Sequence, residues 1–466
     1  MQTRCKSGRE QGSKRADFRY LSFDEYFNSH LADLSIFLIG IGGFVEPYWY
    51  VIAFAIALLV TLLATPLTIR LANRFNAIDY PDGRRINEIP VPRLGGIAIF
   101  LGATISLGLI GLFLFDDGPR LDPDSTIDYR GVAVALFVIF VVGLVDDFRT
   151  TRVRYKLLGQ IIAALIASLS GVLLSSITNP FDGTPIYLGF FAYPVTIIYL
   201  VAFANIINLI DGLDGLAAGI VTISVIALFV IAVGNDYLNV AMVSIAVAGA
   251  CLGFLKYNFN PAKIFMGDSG ALYLGFLMGL LSLFGAIRTP AIITLLVPIV
   301  IAGIPVLDTL TAIIRRIRTG TSIVEADTSH IHHRLLNIGY GQKTTVYILY
   351  VFTGILAIFA LLLVGRGDLI RMLILGVLVI MIAALVFGLK LTEPILKHHF
   401  VKRPRRRRNW RGPSFKLPKT GKYDYSQIEA ESSDVDEKLA AALTDALESA
   451  DTTEGARKDT PRTDAD

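Results

Sequence analysis

Charge is scarce in this 466-residue chain: 18% of residues are Asp, Glu, Lys or Arg, against about 25% in an ordinary soluble domain. Cysteine is scarcer still. Cys5 and Cys251 lie far apart, one near the N-terminus and one inside an apolar run, so neither a disulfide framework nor a cysteine metal pair is expected. The strict apolar–polar alternation of a transmembrane barrel is absent, as is the internal repeat that marks many transporters. No apolar stretch directly follows the basic start, so no cleaved signal peptide is expected. What the chain has in abundance is hydrophobicity, 53% of residues, with a mean hydropathy of +0.59.

That hydrophobicity comes in long runs. Spans fall near 47–69, 94–115, 131–145, 157–178, 190–209, 216–233, 238–255, 271–287, 290–312, 345–364 and 369–389, most close to the ~20 residues a bilayer requires. In lipid each segment must satisfy its own backbone, so the runs read as helices. The expectation is an all-α, polytopic integral membrane protein with about eleven transmembrane helices. Three segments follow: an N-terminal extension over 1–46, a transmembrane domain over 47–390, and a basic juxtamembrane segment with an acidic, disordered tail over 391–466.

Short-loop Lys and Arg set the orientation. Arg70, Arg74, Arg84, Arg85 and Arg93 fall in one connection, Arg149, Arg152, Arg154 and Lys156 in another, and Arg315, Arg316, Arg318, Arg334 and Lys343 in a third. The intervening loops are acidic (Asp116, Asp117, Asp122, Asp124, Asp128) or lack Lys and Arg, as 179–189 and 234–237 do. The N-terminus is then outside and the C-terminus cytoplasmic. The basic residues of 1–33 run against this, and the later loops, consistent among themselves, outweigh them. The basic cluster Lys402–Arg411 suits anionic inner-leaflet lipid; beside a membrane helix, nucleic acid is the poorer partner for it.

Polar strings gather at the cytoplasmic helix ends, where ionisable groups are costly and mark function by default. They are Pro81–Arg85 through Pro92-Arg93-Leu94-Gly95-Gly96; Asp146-Asp147; Asn205 and Asn208 leading into Asp211-Gly212-Leu213-Asp214-Gly215; Asn258 through Phe265-Met266-Gly267-Asp268-Ser269-Gly270; and Asp327 with His330, His332 and His333. Each has a bland reading. An isolated Asp-Asp pair is ordinarily a solvated helix end, Asp211 and Asp214 with their glycines an ordinary turn, and Asp268 an N-cap. Taken together, three carboxylate clusters on one face suit a hard cation such as Mg²⁺, which takes few carboxylates and shares substrate phosphates. The histidines have no nearby cysteine, and their i, i+2, i+3 spacing does not share one helical face, so phosphate or sugar donors fit better than a zinc site.

In order, these strings resemble the polyprenyl-phosphate N-acetylhexosamine-1-phosphate transferases, glycosyltransferase family 4, over roughly residues 47–390. Pro92-Arg93-Leu94-Gly95-Gly96 and His330-Ile331-His332-His333-Arg334-Leu335 look like the bacterial undecaprenyl-phosphate GlcNAc-1-phosphate branch. The phospho-MurNAc-pentapeptide translocases usually show Pro-Thr-Met-Gly-Gly and three adjacent histidines. One departure is Asn87, where the family commonly has His. The resemblance implies transfer of a sugar-1-phosphate, most simply GlcNAc-1-phosphate, from a UDP-sugar to polyprenyl phosphate, with UMP released. The alternatives are the MurNAc-pentapeptide reaction and, lower, a secondary transporter.

It further implies Mg²⁺, with Mn²⁺ as a substitute, held by Asp211 and Asp268. Asp146 or Asp147 would position or deprotonate the lipid phosphate, and Lys156 would clamp it. Asp214 and Phe265 would hold the uracil, and Asn208 would support the Asp211 turn. His330, His332, His333 and Arg334 would meet the sugar and diphosphate. A homodimer is left open.

Overall fold

The computed structural model describes residues 47–80, 90–114, 127–149, 151–178, 184–288, 303, 306–309, 311, 331–363 and 368–388. The segments 1–46 and 391–466, the loop with Arg84, Arg85 and Asn87, and Asp327 and His330 lie outside them, as does nearly all of the expected span 290–312. The described elements are α1 (Tyr48–Arg74), β1 (Ile78–Asp79), β2 (Val91–Pro92), α2 (Gly95–Leu114), α3 (Tyr129–Phe148), α4 (Val153–Leu169), β3 (Ser176–Thr178), β4 (Pro185–Tyr187), α5 (Ala192–Ile210), α6 (Leu216–Gly234), α7 (Leu238–Asn258), α8 (Gly267–Arg288), α9 (Ile331–Ile338), α10 (Gln342–Leu363) and α11 (Asp368–Gly388). The only strands among them form two antiparallel pairs, β1–β2 and β3–β4.

Among the described residues eight helices are long and apolar enough to cross a membrane: α1, α2, α3, α5 with its leading turn, α6, α7, α8 and α10. One expected span is corrected. The run 157–178 stops being helical at Leu169, because Gly171 takes φ +91° and its N–H and that of Val172 return to Ser168 and Ala167. This is the glycine-terminated ending that closes many helices. The β-branched residues beyond it go into the β3–β4 hairpin.

α8 is the hub. In Gly267–Phe284, 83% of residues are buried, against 28% in α1, and α8 packs against α2, α3 and α5. Lipid gives no hydrophobic drive between helices, so close approach comes from small residues. A Cβ on Gly249 of α7 would lie 2.4 Å from the Phe54 carbonyl oxygen of α1, and one on Gly102 of α2 would overlap Thr61 Oγ1. Outward faces remain apolar, with Leu59, Leu63 and Leu67 on α1 and Leu158, Leu165 and Leu169 on α4 exposed, as a lipid-facing surface requires. Successive helices alternate in direction, so the C-terminal ends of α3, α5 and α7 meet the N-terminal ends of α2, α4, α6 and α8 at one end of the bundle.

Candidate active site

The site grows from the start of α8. Gly267 takes φ +73°, and a Cβ there would sit 2.3 Å from the Arg93 carbonyl oxygen and 2.7 Å from both Asp147 carboxylate oxygens. Only glycine lets the three segments meet. The Pro92–Gly96 string is the mate of this turn: Phe265 N–H donates to Pro92 O at 2.7 Å, Gly95 N–H to Phe265 O at 3.0 Å, and Gly96 N–H to Met266 O at 2.7 Å. A Cβ on Gly96 would lie 2.1 Å from Gly270 N. These glycines serve close backbone docking.

Asp146 and Asp147 are adjacent, so the helical turn of 100° per residue sends them to different neighbours. Asp147, 3% exposed, accepts from Asp268 N–H at 2.7 Å and Ser269 N–H at 3.0 Å. It thus caps α8, satisfying two of the N–H groups every helix leaves orphaned. Its own carbonyl oxygen accepts from Arg93 Nε at 2.9 Å. Asp146 instead accepts from Thr151 N–H at 2.7 Å and Thr151 Oγ1 at 2.5 Å, and pairs with Lys156 Nζ at 3.1 Å.

Lys156, at the start of α4, joins the clusters. Its ammonium also pairs with Asp268 Oδ2 and reaches Asn208 Oδ1 at 3.5 Å. Asn208 in turn donates from Nδ2 to Asp268 Oδ1 at 2.6 Å. Side chains from α3, α4, α5 and α8 therefore converge on one point.

Asp211 stands in the turn after α5 and is only partly exposed. Burial, and then the carboxylates of Asp268, Asp147 and Asp214, push its carboxyl up to about 8. Among the described residues it has no hydrogen-bond or ion-pair partner. Crowded carboxylates can be answered by a divalent cation as well as by a proton, and Asp211 and Asp268 are the residues here that could hold one.

The turn itself is pinned from three sides. Gly215 N–H donates to Asn258 Oδ1 at 3.1 Å, Tyr350 Oη donates to Gly215 O at 2.5 Å, and Asp214 Oδ2 accepts from Asn260 Nδ2 at 2.8 Å and Ala262 N–H at 3.1 Å. Asp214 is thereby tied to the loop that carries Phe265. Arg334 is half-buried on α9, the helix that also carries His332 and His333; the side chains of those two lie outside the described residues.

Sequence reasoning missed three residues here, and gave a fourth, Asn205, no role of its own. Gln160 and Asn205 form a reciprocal amide pair; their signal was spacing, four residues after Lys156 and three before Asn208. Tyr350 left no signal in a run of apolar residues. Asp308, 4% exposed, accepts from Ile331 N–H at 2.8 Å and fixes the start of α9; a lone Asp closing an apolar run was the available hint.

The capping geometry sets one expected result. Asp147→Asn keeps the shape but turns one acceptor into a donor facing an N–H, which costs about 1–3 kcal/mol. The apparent melting temperature of the detergent-solubilised protein should fall by several degrees. An unchanged melt would mean that the cap does not hold α8.

Antiparallel apolar helices around a buried one, with carboxylates from separate helices drawn together by a lysine at one end, define a multi-pass membrane protein with an acidic site on one face. The chain belongs to glycosyl transferase family 4. The family's profile matches residues 129–286, a stretch that holds Asp146, Asp147, Asp211, Asp214 and Asp268. A Bacillus subtilis (strain 168) protein named probable undecaprenyl-phosphate N-acetylglucosaminyl 1-phosphate transferase is 36% identical over 330 residues, 71% of this chain and 89% of that protein. The decaprenyl-phosphate N-acetylglucosaminephosphotransferase of Mycobacterium leprae (strain TN) is 37% identical over 324 residues, 65% of this chain and 80% of that one. A phospho-N-acetylmuramoyl-pentapeptide-transferase from Desulforudis audaxviator (strain MP104C) is 32% identical over 338 residues, 66% of this chain and 96% of that one.

Proposed function

We propose that the chain transfers GlcNAc-1-phosphate from UDP-GlcNAc to a polyprenyl phosphate, giving polyprenyl-diphospho-GlcNAc and UMP. The observation that carries this reading is Lys156 shared between Asp146 and Asp268, with Asn208 on the same carboxylate: a site that concentrates charge from four helices at one end of the bundle. Phosphoryl transfer asks for that. An acceptor phosphate oxygen forms a bond to the sugar-bearing phosphorus, the bond from that phosphorus to the bridging oxygen breaks, and UMP leaves with that oxygen. The acceptor's second pKa is near 6, so it is mostly a dianion at pH 7, and positioning outweighs deprotonation.

Lys156 is then the clamp for the lipid phosphate, released from its carboxylates as the phosphate arrives. Asp146, anchored by Thr151, holds that ammonium. Asp147 keeps α8 and therefore Asp268 in place. Asp211 and Asp268 would hold Mg²⁺, which supplies neutralisation of the donor diphosphate. Asp214, tied through Asn260 and Ala262 to the loop that carries Phe265, suits the uracil together with that ring, and the α9 segment with His332, His333 and Arg334, preceded by His330, suits the sugar and diphosphate. The Lys and Arg bias of the short loops supports an orientation with this end on the cytoplasmic face of the plasma membrane, where the headgroup plane of the lipid meets a soluble nucleotide sugar.

Membranes carrying the chain, given labelled UDP-GlcNAc, undecaprenyl phosphate and Mg²⁺, should yield labelled lipid and equimolar UMP, and EDTA should stop it. Product formed from UDP-MurNAc-pentapeptide instead would favour the translocase reading. Transfer undiminished by EDTA would remove the metal.

A further inference from the structure

The buried amide pair formed by Gln160 and Asn205 touches none of the groups assigned above, yet it lies one turn from two of them. Gln160 Nε2 donates to Asn205 Oδ1 at 3.2 Å, and Asn205 Nδ2 donates back to Gln160 Oε1 at 2.6 Å. Asn205 Nδ2 also donates to the Val201 carbonyl oxygen at 2.7 Å. That second bond fixes which way the Asn205 amide points, since a flipped amide would set oxygen against oxygen. The Gln160 amide, 1% exposed, is fixed in its turn.

At the far end of α4 the chain is tied to α5 by Leu174 N–H, which donates to Thr196 Oγ1 at 2.9 Å; nearer the site the amide pair is the short polar contact. The buried face of α4 is Gln160, Ala163, Ala164, Ala167 and Ser168, and its small side chains bring the helices close while offering few polar groups to fix their register. Gly159, whose Cβ would lie 2.4 Å from Val142 Cγ2, lets α3 approach α4 as closely. Among the described residues, the polar contacts between α4 and α5 are the Gln160–Asn205 pair and the long Lys156–Asn208 contact at 3.5 Å. Lys156 lies four residues before Gln160, on the same helix face, and Asn208 three after Asn205. The pair thus sets the register in which the lysine of α4 meets the asparagine of α5 and, through it, Asp268 of α8.

We infer that Gln160 and Asn205 are positioning residues for phosphosugar transfer, a strut that holds the Lys156 ammonium where the lipid phosphate is to be met. This rests on the role proposed for Lys156. A displacement of about 1 Å at a reacting centre can cost about a hundredfold in rate, so the strut matters more to turnover than to folding.

The test compares Gln160→Met, which keeps the volume without the hydrogen bonds, Asn205→Ala and Lys156→Ala, as full-length protein in detergent. Gln160→Met and Asn205→Ala should each lower kcat about tenfold or more, with KM for UDP-GlcNAc within about threefold. Adding Gln160→Met to Lys156→Ala should cost no further activity, because a strut acting through Lys156 has nothing left to position. Wild-type kcat in Gln160→Met, or losses that multiply in the double variant, would overturn the inference while leaving the transfer reading intact. A second readout does not depend on catalysis. Lys156, held in two ion pairs, should be acetylated slowly by an amine reagent, and faster by severalfold in Gln160→Met, as read by mass spectrometry. Faster labelling in a chain that transfers no phosphosugar would support the strut and sink the function; unchanged labelling would sink the strut.

Discussion

Asp268→Asn is expected to lower phosphosugar transfer by about 10²- to 10³-fold while the protein still folds. The wild-type carboxylate receives Asn208 Nδ2 on one oxygen and the Lys156 ammonium on the other. An amide offers one acceptor and one donor, so whichever way it turns, a donor faces a donor. The cost exceeds one hydrogen bond, because the ammonium loses one of its two counter-charges and the metal site proposed here loses one of its two carboxylates. Folding is spared because Asp147 caps α8 through the backbone N–H groups of residues 268 and 269, which the substitution does not touch. Single-turnover transfer with saturating UDP-GlcNAc, beside a melting curve, separates these effects. Transfer within tenfold of wild type would show that Asp268 is only part of the scaffold.

Asp268 and its neighbours also show what the sequence could reveal. The spans were legible because each is a long apolar run, and the site because costly carboxylates recur at alternate run ends. The division of labour within Asp146-Asp147 was not legible. Two identical neighbours differ only in helical phase, and which faces Lys156, ten residues on, and which caps α8, 121 residues from Asp147 to Asp268, depends on how the helices pack. The glycines of Pro92–Gly96 and Gly267–Gly270 were read as motif; only the packed backbone shows that a Cβ has no room. The end of α4 at Leu169 was misread because Ser168, Ser170 and Gly171 interrupt an otherwise apolar run too briefly to lower a window average. Gln160 was passed over, and Asn205 was named without a role, because a lone amide in an apolar helix has meaning only when its partner is known.

Mg²⁺ should raise the apparent melting temperature of the wild-type protein, and Asp211→Asn should abolish that rise. An ion that binds only the folded state at a hundred times its Kd stabilises it by about 2.7 kcal/mol, a shift of a few degrees for a chain of this size. The dependence on pH has a definite sign. The Asp211 carboxyl, pushed up to about 8 by burial and by the carboxylates of Asp268, Asp147 and Asp214, lies far above the ~3.9 of an unfolded Asp. Without metal, its contribution to stability is complete below about pH 4 and is lost as pH rises towards 8. A divalent ion competes with that proton, so the gain from Mg²⁺ should be largest near pH 8 and shrink towards pH 6. In Asp211→Asn both the metal-free decline and the Mg²⁺ gain should flatten together. A Mg²⁺ shift that survives in Asp211→Asn, or one that grows as the solution is acidified, would place the ion elsewhere and leave the crowding of carboxylates around Asp211 without a cation to answer it.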